Sequence, residues 1–177
     1  MKMQTYFTNY FKEWAGTLHA GDEILLSGTV YTARDVAHKR IAEAIHTGTM
    51  LPFDLNNAFI YYAGPTPAKR TAVGACGPTT SSRMDPYAPD FYARGLAATI
   101  GKGDRDPAVY SAIQKRGGLY LCAIGGAGAL ASMAIRTCEV IAYEDLGCES
   151  IKRMEIENFP LFVGIDTKGR SIFQQKT

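Results

Sequence analysis

The longest charge-free stretch of the chain, Gly117 to Ile135, is 19 residues long and contains five glycines. A membrane-spanning helix needs about 20 predominantly apolar residues. Glycines at the start and in the middle of this stretch divide it instead into an apolar run at 119–124, a Gly-rich turn and a helical run at 127–136. A second strand-like run at 138–143 follows, so the region predicts a compact β–α–β unit. Such a unit must belong to a sheet, and the other apolar runs supply one.

Residues 21–31, GDEILLSGTVY, predict a turn and then a buried strand. A helix is expected from about Ala33 to His46, with Val36, Ile41, Ala44 and Ile45 as its apolar stripe and Thr32 as its cap. Residues 57–63 predict an aromatic-rich strand that ends at Gly64-Pro65-Thr66-Pro67, and 71–76 a further short strand before Gly77-Pro78. Asp90 is expected to open a helix that runs to about Thr99 and stops at Gly101 and Gly103. Asp106-Pro107 opens another, to about Arg116. Two runs at 159–165 and 171–174, joined across Asp166–Gly169, predict a closing hairpin. Strands outnumber helices and their directions are mixed, so the expected class is α/β with a mixed sheet.

Composition narrows the function classes. At 177 residues and 46% hydrophobic content the chain is long enough for one domain with a core that needs no staples. Its 19 basic residues nearly cancel 17 acidic ones, and no half forms a basic arm: residues 1–118 carry 13 and 10, residues 119–177 carry 6 and 7. A nucleic-acid partner therefore has no electrostatic support. The N-terminus lacks the apolar core of a secretory signal. The cysteines at 76, 122, 138 and 148 form no CxxC pair, and His19, His38 and His46 form no ligand pair with them. Buried free thiols and a reducing, cytoplasmic setting are the expectation, with no metal ligand set in the chain.

Three segments carry anion-binding chemistry. Gly77-Pro78-Thr79-Thr80-Ser81-Ser82-Arg83-Met84-Asp85 places four hydroxyl residues after a turn, followed directly by a guanidinium. Hydroxyls and turn N–H groups converge readily on an anion, and Arg83 suits a carboxylate, which it grips through two parallel hydrogen bonds. Capping hydroxyls and an exposed arginine explain the segment equally well. Thr32-Ala33-Arg34-Asp35 puts a cation at a strand–helix junction, where the helix dipole also favours an anion. Taken alone, a surface pair of Arg34 with Asp35 or Glu43 is the simpler account. Ile100-Gly101-Lys102-Gly103 leaves an ammonium flanked by glycines, which is also what a helix C-cap looks like. It is not a Walker A loop, because Gly103 stands where Ser or Thr is required. Two arginines, a lysine and clustered hydroxyls fit a small dianion such as a dicarboxylate.

A rival motif, Gly126-Ala127-Gly128-Ala129-Leu130-Ala131, matches G-x-G-x-x-A between a strand and a helix, with Glu144 and Asp145 after the next strand. Only nine residues separate Gly128 from Cys138, which leaves a helix too short for a dinucleotide fold. Close packing explains these glycines more simply.

In order and spacing, GDEILLSGTVYTARDVAHKR, FIYYAGPTP, GACGPTTSSRMD, IGKGDRD and the later GGAGAL, AYEDLG and FPLFVGID resemble one family. It is the β subunit, or C-terminal domain, of the class I fumarases and L(+)-tartrate dehydratases, iron–sulfur hydro-lyases. The similarity runs from about Gly21 to Phe173, which makes residues 1–20 an N-terminal extension and 21–177 the family domain. The resemblance implies a swivelling β/β/α domain that closes over a partner α subunit in a hetero-oligomer. It also implies that the α subunit holds a 4Fe–4S cluster through three cysteines that this chain does not supply. Carried over by position, it makes Thr79 the general base and Arg34, Thr80, Arg83 and Lys102 contacts to a dicarboxylate, fumarate or tartrate. The same pocket without catalysis, as a binding or regulatory module, is the alternative.

Overall fold

The computed structural model describes residues 3–68, 71–123 and 128–174. In chain order the regular elements are β1 (Gln4–Phe7), α1 (Phe11–Trp14), β2 (Glu23–Thr32), α2 (Asp35–Thr47), β3 (Phe59–Tyr61), α3 (Ala88–Ala93), β4 (Ala98–Gly101), α4 (Pro107–Arg116), β5 (Leu119–Cys122), α5 (Gly128–Met133), β6 (Ile135–Ala142) and β7 (Ile151–Ile165). Strands β1 to β5 run parallel in that spatial order, and β7 pairs antiparallel with β5, β6 and β2. The pairings therefore close a ring, β2–β3–β4–β5–β7 and back to β2. The class is α/β with a mixed sheet, as the sequence predicts.

Both faces of β3, β4 and β5 are buried, which is why their sequences are nearly all apolar. Phe59, Tyr61, Ala98, Ile100, Leu119 and Leu121 join Ile24, Leu26, Val30, Met154, Phe159 and Val163 in one core. The intervening residues Ile60, Tyr62, Tyr120 and Cys122 face outward into a second core with Ala37 and Ile41 of α2, Phe91 and Tyr92 of α3, and Val109 and Ile113 of α4. Residues 3–20 take part in this packing: β1 pairs with β2, and Phe11, Trp14 and Leu18 are buried in the first core.

The structure corrects several local expectations. Thr32 does not cap α2. It ends β2, where its hydroxyl donates to the Ser150 carbonyl and accepts from the Lys152 N–H, and Arg34 takes the N-cap position. The helix expected from Asp90 to Thr99 spans only Ala88–Ala93, because Gly95, at φ +98°, ends it and 98–101 become β4. Residues 71–76 form no strand; they fold back on Thr66, whose oxygens accept from Gly74 N–H and Ala75 N–H. At the C-terminal end only a single bridge, Ile165 to Ser171, replaces the hairpin. Its turn is held by the buried Asp166 carboxylate, which accepts from Lys168 N–H, Arg170 N–H and Arg170 Nε.

Candidate active site

Parallel strands point their carboxyl ends the same way, and the loops leaving those ends form the usual ligand crevice of α/β sheets. Here β2 runs into Arg34, β3 into Tyr62 and Gly64, and β4 into Lys102. Segment 77–83 is drawn to the same end by backbone bonds: Thr79 N–H donates to Tyr62 O at 2.6 Å, and Ser81 N–H to Lys102 O at 2.9 Å. Thr80 and Lys102 pair as a parallel bridge. The sequence-predicted residues thus come from three chain segments and meet at one edge.

Their charges are partly balanced within the chain. Arg83, half exposed, donates from Nε to Asp35 Oδ1 at 2.8 Å, which ties the hydroxyl-rich segment to the first residue of α2. Arg34 pairs with neither Asp35 nor Glu43; its Nη2 lies 3.1 Å from Glu149 Oε1. Lys102 is exposed and makes no ion pair among the described residues. Thr79 is half-buried and Thr80 exposed, beside an open cleft of about 790 Å³ lined by Thr80, Ser82, Asp85, Asp104, Arg105 and Asp106.

Under this surface lies a polar cluster that sequence reasoning missed. Arg105, whose side chain is 0% exposed, donates from Nε to Asp85 Oδ1 at 2.6 Å, from Nη1 to Thr99 Oγ1 at 2.9 Å and from Nη2 to the Tyr62 hydroxyl at 3.3 Å. Its guanidinium also lies over the Tyr62 and Tyr120 rings. Burial works against the Arg105 charge, but the surrounding phenols and Asp85 outweigh it and hold the pKa above its usual value. The second Asp85 oxygen accepts from Asp106 N–H, and Tyr120 donates to Gly103 O and bonds Ser81 Oγ. The cluster therefore clamps the loop after Lys102 to the segment after Thr80. Asp85 and Arg105 stand in GPTTSSRMD and IGKGDRD, but nothing in those strings separates a buried arginine from an exposed one.

His38, fully buried on α2 against Tyr62 and Phe91, acts from below Arg34. Its Nδ1 donates to the Arg34 carbonyl at 2.9 Å, and its Nε2 is buried without a partner. Burial lowers its pKa to about 4, the Arg34 bond opposes this and Arg105 adds to it.

Of the G-x-G-x-x-A motif, Gly126 and Ala127 lie outside the described residues. Gly128 opens a helix of six residues and packs against Gly77, with its carbonyl accepting from Cys76 N–H. A Cβ on Gly128 would stand 3.1 Å from Gly77 N. The glycine serves the approach of this helix to the segment that carries Thr79.

Among the described residues no three His, Cys, Asp or Glu side chains group as a metal site. Burial pushes the Cys76 thiol up to about 12 and the Cys122 thiol up to about 11, away from the thiolate a metal requires. No described helix is long and apolar enough to cross a membrane.

Fold and site together define a mixed α/β domain that presents cations and hydroxyls at the carboxyl ends of its parallel strands. Residues 3–176 match the family described as Fumarase C-terminus. The chain is 35% identical to the putative L(+)-tartrate dehydratase subunit beta of Methanocaldococcus jannaschii, over 98% of this chain and 92% of that protein. It is 43% identical to the anaerobic class I fumarate hydratase of Escherichia coli and to the mitochondrial fumarate hydratase 1 of Leishmania major, over 85% of this chain but 28% of each enzyme. The chain belongs to the fumarase C-terminus family.

Proposed function

We propose that this chain is the β subunit of a two-subunit hydro-lyase that adds water to, or removes it from, a small dicarboxylate, fumarate or tartrate. The observation that carries this is the strand-end cluster, in which the Thr80–Lys102 bridge and the Arg83–Asp35 pair bring three basic side chains and two threonines to one edge. The relatives agree: the tartrate dehydratase match is named a subunit, and the fumarate hydratases carry this region as just over a quarter of a longer chain. In this reading the domain is of the swivelling kind and closes over an α subunit in the cytoplasm.

Among the described residues no group of His, Cys, Asp or Glu side chains is placed to hold a metal, and burial keeps the Cys76 and Cys122 thiols protonated, which does not fit a 4Fe–4S cluster. The proposal places the cluster on the α subunit, where it would supply Lewis acidity. What this chain supplies is a charge frame. Removing a proton from carbon next to a carboxylate builds negative charge on that carboxylate. Fixed cations in a water-poor site favour that state over the ground state. Arg34 and Arg83 grip carboxylate oxygens, Lys102 adds a point charge and Thr80 a hydroxyl.

Thr79 moves the proton. An isolated aliphatic hydroxyl is too weak an acid to ionise near neutrality, so Thr79 acts as a relay that depends on neighbouring cations. The test is Thr79→Val in the complex with the α subunit. Turnover collapses with KM little changed, and solvent deuterium no longer enters the substrate carbon. Deuterium exchange at the wild-type rate in Thr79→Val hands the base role to another residue. Failure of the wild-type complex to hydrate any dicarboxylate overturns the enzyme reading itself.

A further inference from the structure

Glu149 belongs to none of the three motifs that supply the strand-end cations, yet it holds one of them. It stands in the turn between β6 and β7, over a hundred positions from Arg34 in sequence, and the pair is mostly shielded, with side chains 22% and 25% exposed. That turn is fastened at several points. Lys152 Nζ donates to the carbonyls of Gly147 (3.2 Å), Cys148 (3.0 Å) and Ser150 (3.3 Å) and to Ser150 Oγ (2.8 Å). Thr32, at the end of the strand that leads to Arg34, donates to the Ser150 carbonyl. Arg40 on α2 grips Asp145 with both terminal nitrogens. Glu149 is therefore presented from a rigid turn.

The opposite side of the guanidinium is equally confined. A Cβ on Gly64 would stand 3.1 Å from Arg34 Nη1 and 3.3 Å from the Cys148 carbonyl, so the arginine occupies space that only glycine leaves. The Arg34 backbone is pinned by His38, whose N–H and Nδ1 both donate to its carbonyl. An arginine on a free surface would spread over many rotamers and lose that freedom on binding. This one has already lost it.

We propose that Glu149 is a positioning residue for Arg34: its carboxylate holds Nη2 in an ion pair at 3.1 Å and fixes the guanidinium so that its N–H groups meet the substrate carboxylate. The inference rests on the proposed dicarboxylate site. It makes a prediction opposite in sign to simple electrostatics. Removing Glu149 raises the net positive charge around Arg34, which by charge alone tightens binding of a dianion. Loss of orientation weakens it instead.

The experiment compares Glu149→Ala, Glu149→Gln and Gly64→Ala in the complex with the α subunit, with fumarate and L-tartrate as substrates and Arg34→Ala as the control. Positioning predicts a KM increase of roughly ten- to a hundredfold in Glu149→Ala, since a displacement of about 1 Å has that scale of consequence. Glu149→Gln, which keeps an acceptor oxygen but no charge, stays within a few-fold of wild type. Gly64→Ala raises KM although Glu149 is intact, because the new methyl group displaces Nη1. If Glu149→Ala does not fold, the Gln and Gly64 variants decide the matter. A KM that is unchanged or lowered in Glu149→Ala, or a Gln variant as poor as Ala, overturns the positioning role while a crippled Arg34→Ala leaves the dicarboxylate site standing. An Arg34→Ala variant indistinguishable from wild type overturns both.

Discussion

Arg105 and Arg83 lie in neighbouring segments of the same crevice and are embedded in opposite ways. Arg105 is wholly buried and has its donors distributed over Asp85, Thr99 and Tyr62. Arg83 is 52% exposed and spends one nitrogen on Asp35. A buried ion pair whose hydrogen bonds are complete is a structural clamp, and breaking it strands a charge in the interior. A half-exposed pair is held weakly and exchanges partners with little loss. The same side chain is therefore scaffold in one place and candidate ligand in the other, and burial with hydrogen-bond saturation tells them apart.

Three measurements break or sharpen that contrast. The largest stability effect is expected at the clamp. Asp85→Ala leaves the Arg105 guanidinium buried without its counterion and costs about 3–5 kcal/mol by urea denaturation. A loss under about 1 kcal/mol, the range of surface pairs, would erase the distinction.

The second concerns His38, buried beneath Arg34. Above pH 6.5 the ring is neutral in the folded and the unfolded chain alike. As pH falls from 6.5 toward about 4 the unfolded chain takes up a proton that the folded chain refuses, so stability present at neutral pH is lost. At 1.36 kcal/mol per pKa unit the loss is on the order of 3 kcal/mol. Urea midpoints of wild type and His38→Gln at pH 7 and pH 4.5 check it: the variant has the shallower pH dependence.

The smallest stability effect belongs to Arg83→Ala, about 0–1 kcal/mol. Its effect on catalysis is large, with kcat/KM of the complex falling by the equivalent of about 2–5 kcal/mol for a lost carboxylate contact. Near-wild-type kcat/KM in this variant would return Arg83 to the ordinary surface.

The distinction between these arginines was not legible in the sequence, whereas much else was. Apolar runs and clear punctuation made β2, β3, β5 and α4 readable: Asp106 caps α4 through Ala108 N–H, and Gly117 at φ +69° ends it, as Asp-Pro and Gly-Gly suggest. Strand β7 was half hidden. Its inward residues are Met154 and Ile156 before Asn158, and Phe159, Leu161 and Val163 after it. The register against β2 shifts at that point and Asn158 adopts φ +52°, so the alternation changes parity within one strand and 151–158 look patternless. Strand β4 is masked in the sequence by the helical run before it, which Gly95 at φ +98° ends well short of Thr99. Each residue of the strand-end cluster stood in a legible motif. Their meeting at one edge, and the turn at 144–150 that reaches Arg34, depend on pairings between distant strands that no local pattern encodes.

The closure of the ring by β7 also bears on how the chain reaches its fold. Glu23 pairs with Phe162 and Thr32 with Lys152, so the β2–β7 ladder joins segments well over a hundred residues apart. Such non-local pairing must meet its loop-closure entropy before any ladder bond forms, and it slows folding. Of the strands in the ring, β7 is the last to leave the ribosome. Until it docks, one edge of β2 and one edge of β5 stand open, each an unpaired template for another chain. The docking of one late strand thus covers both edges at once. It also delivers Lys152, and the turn before it, to the crevice only at that final step.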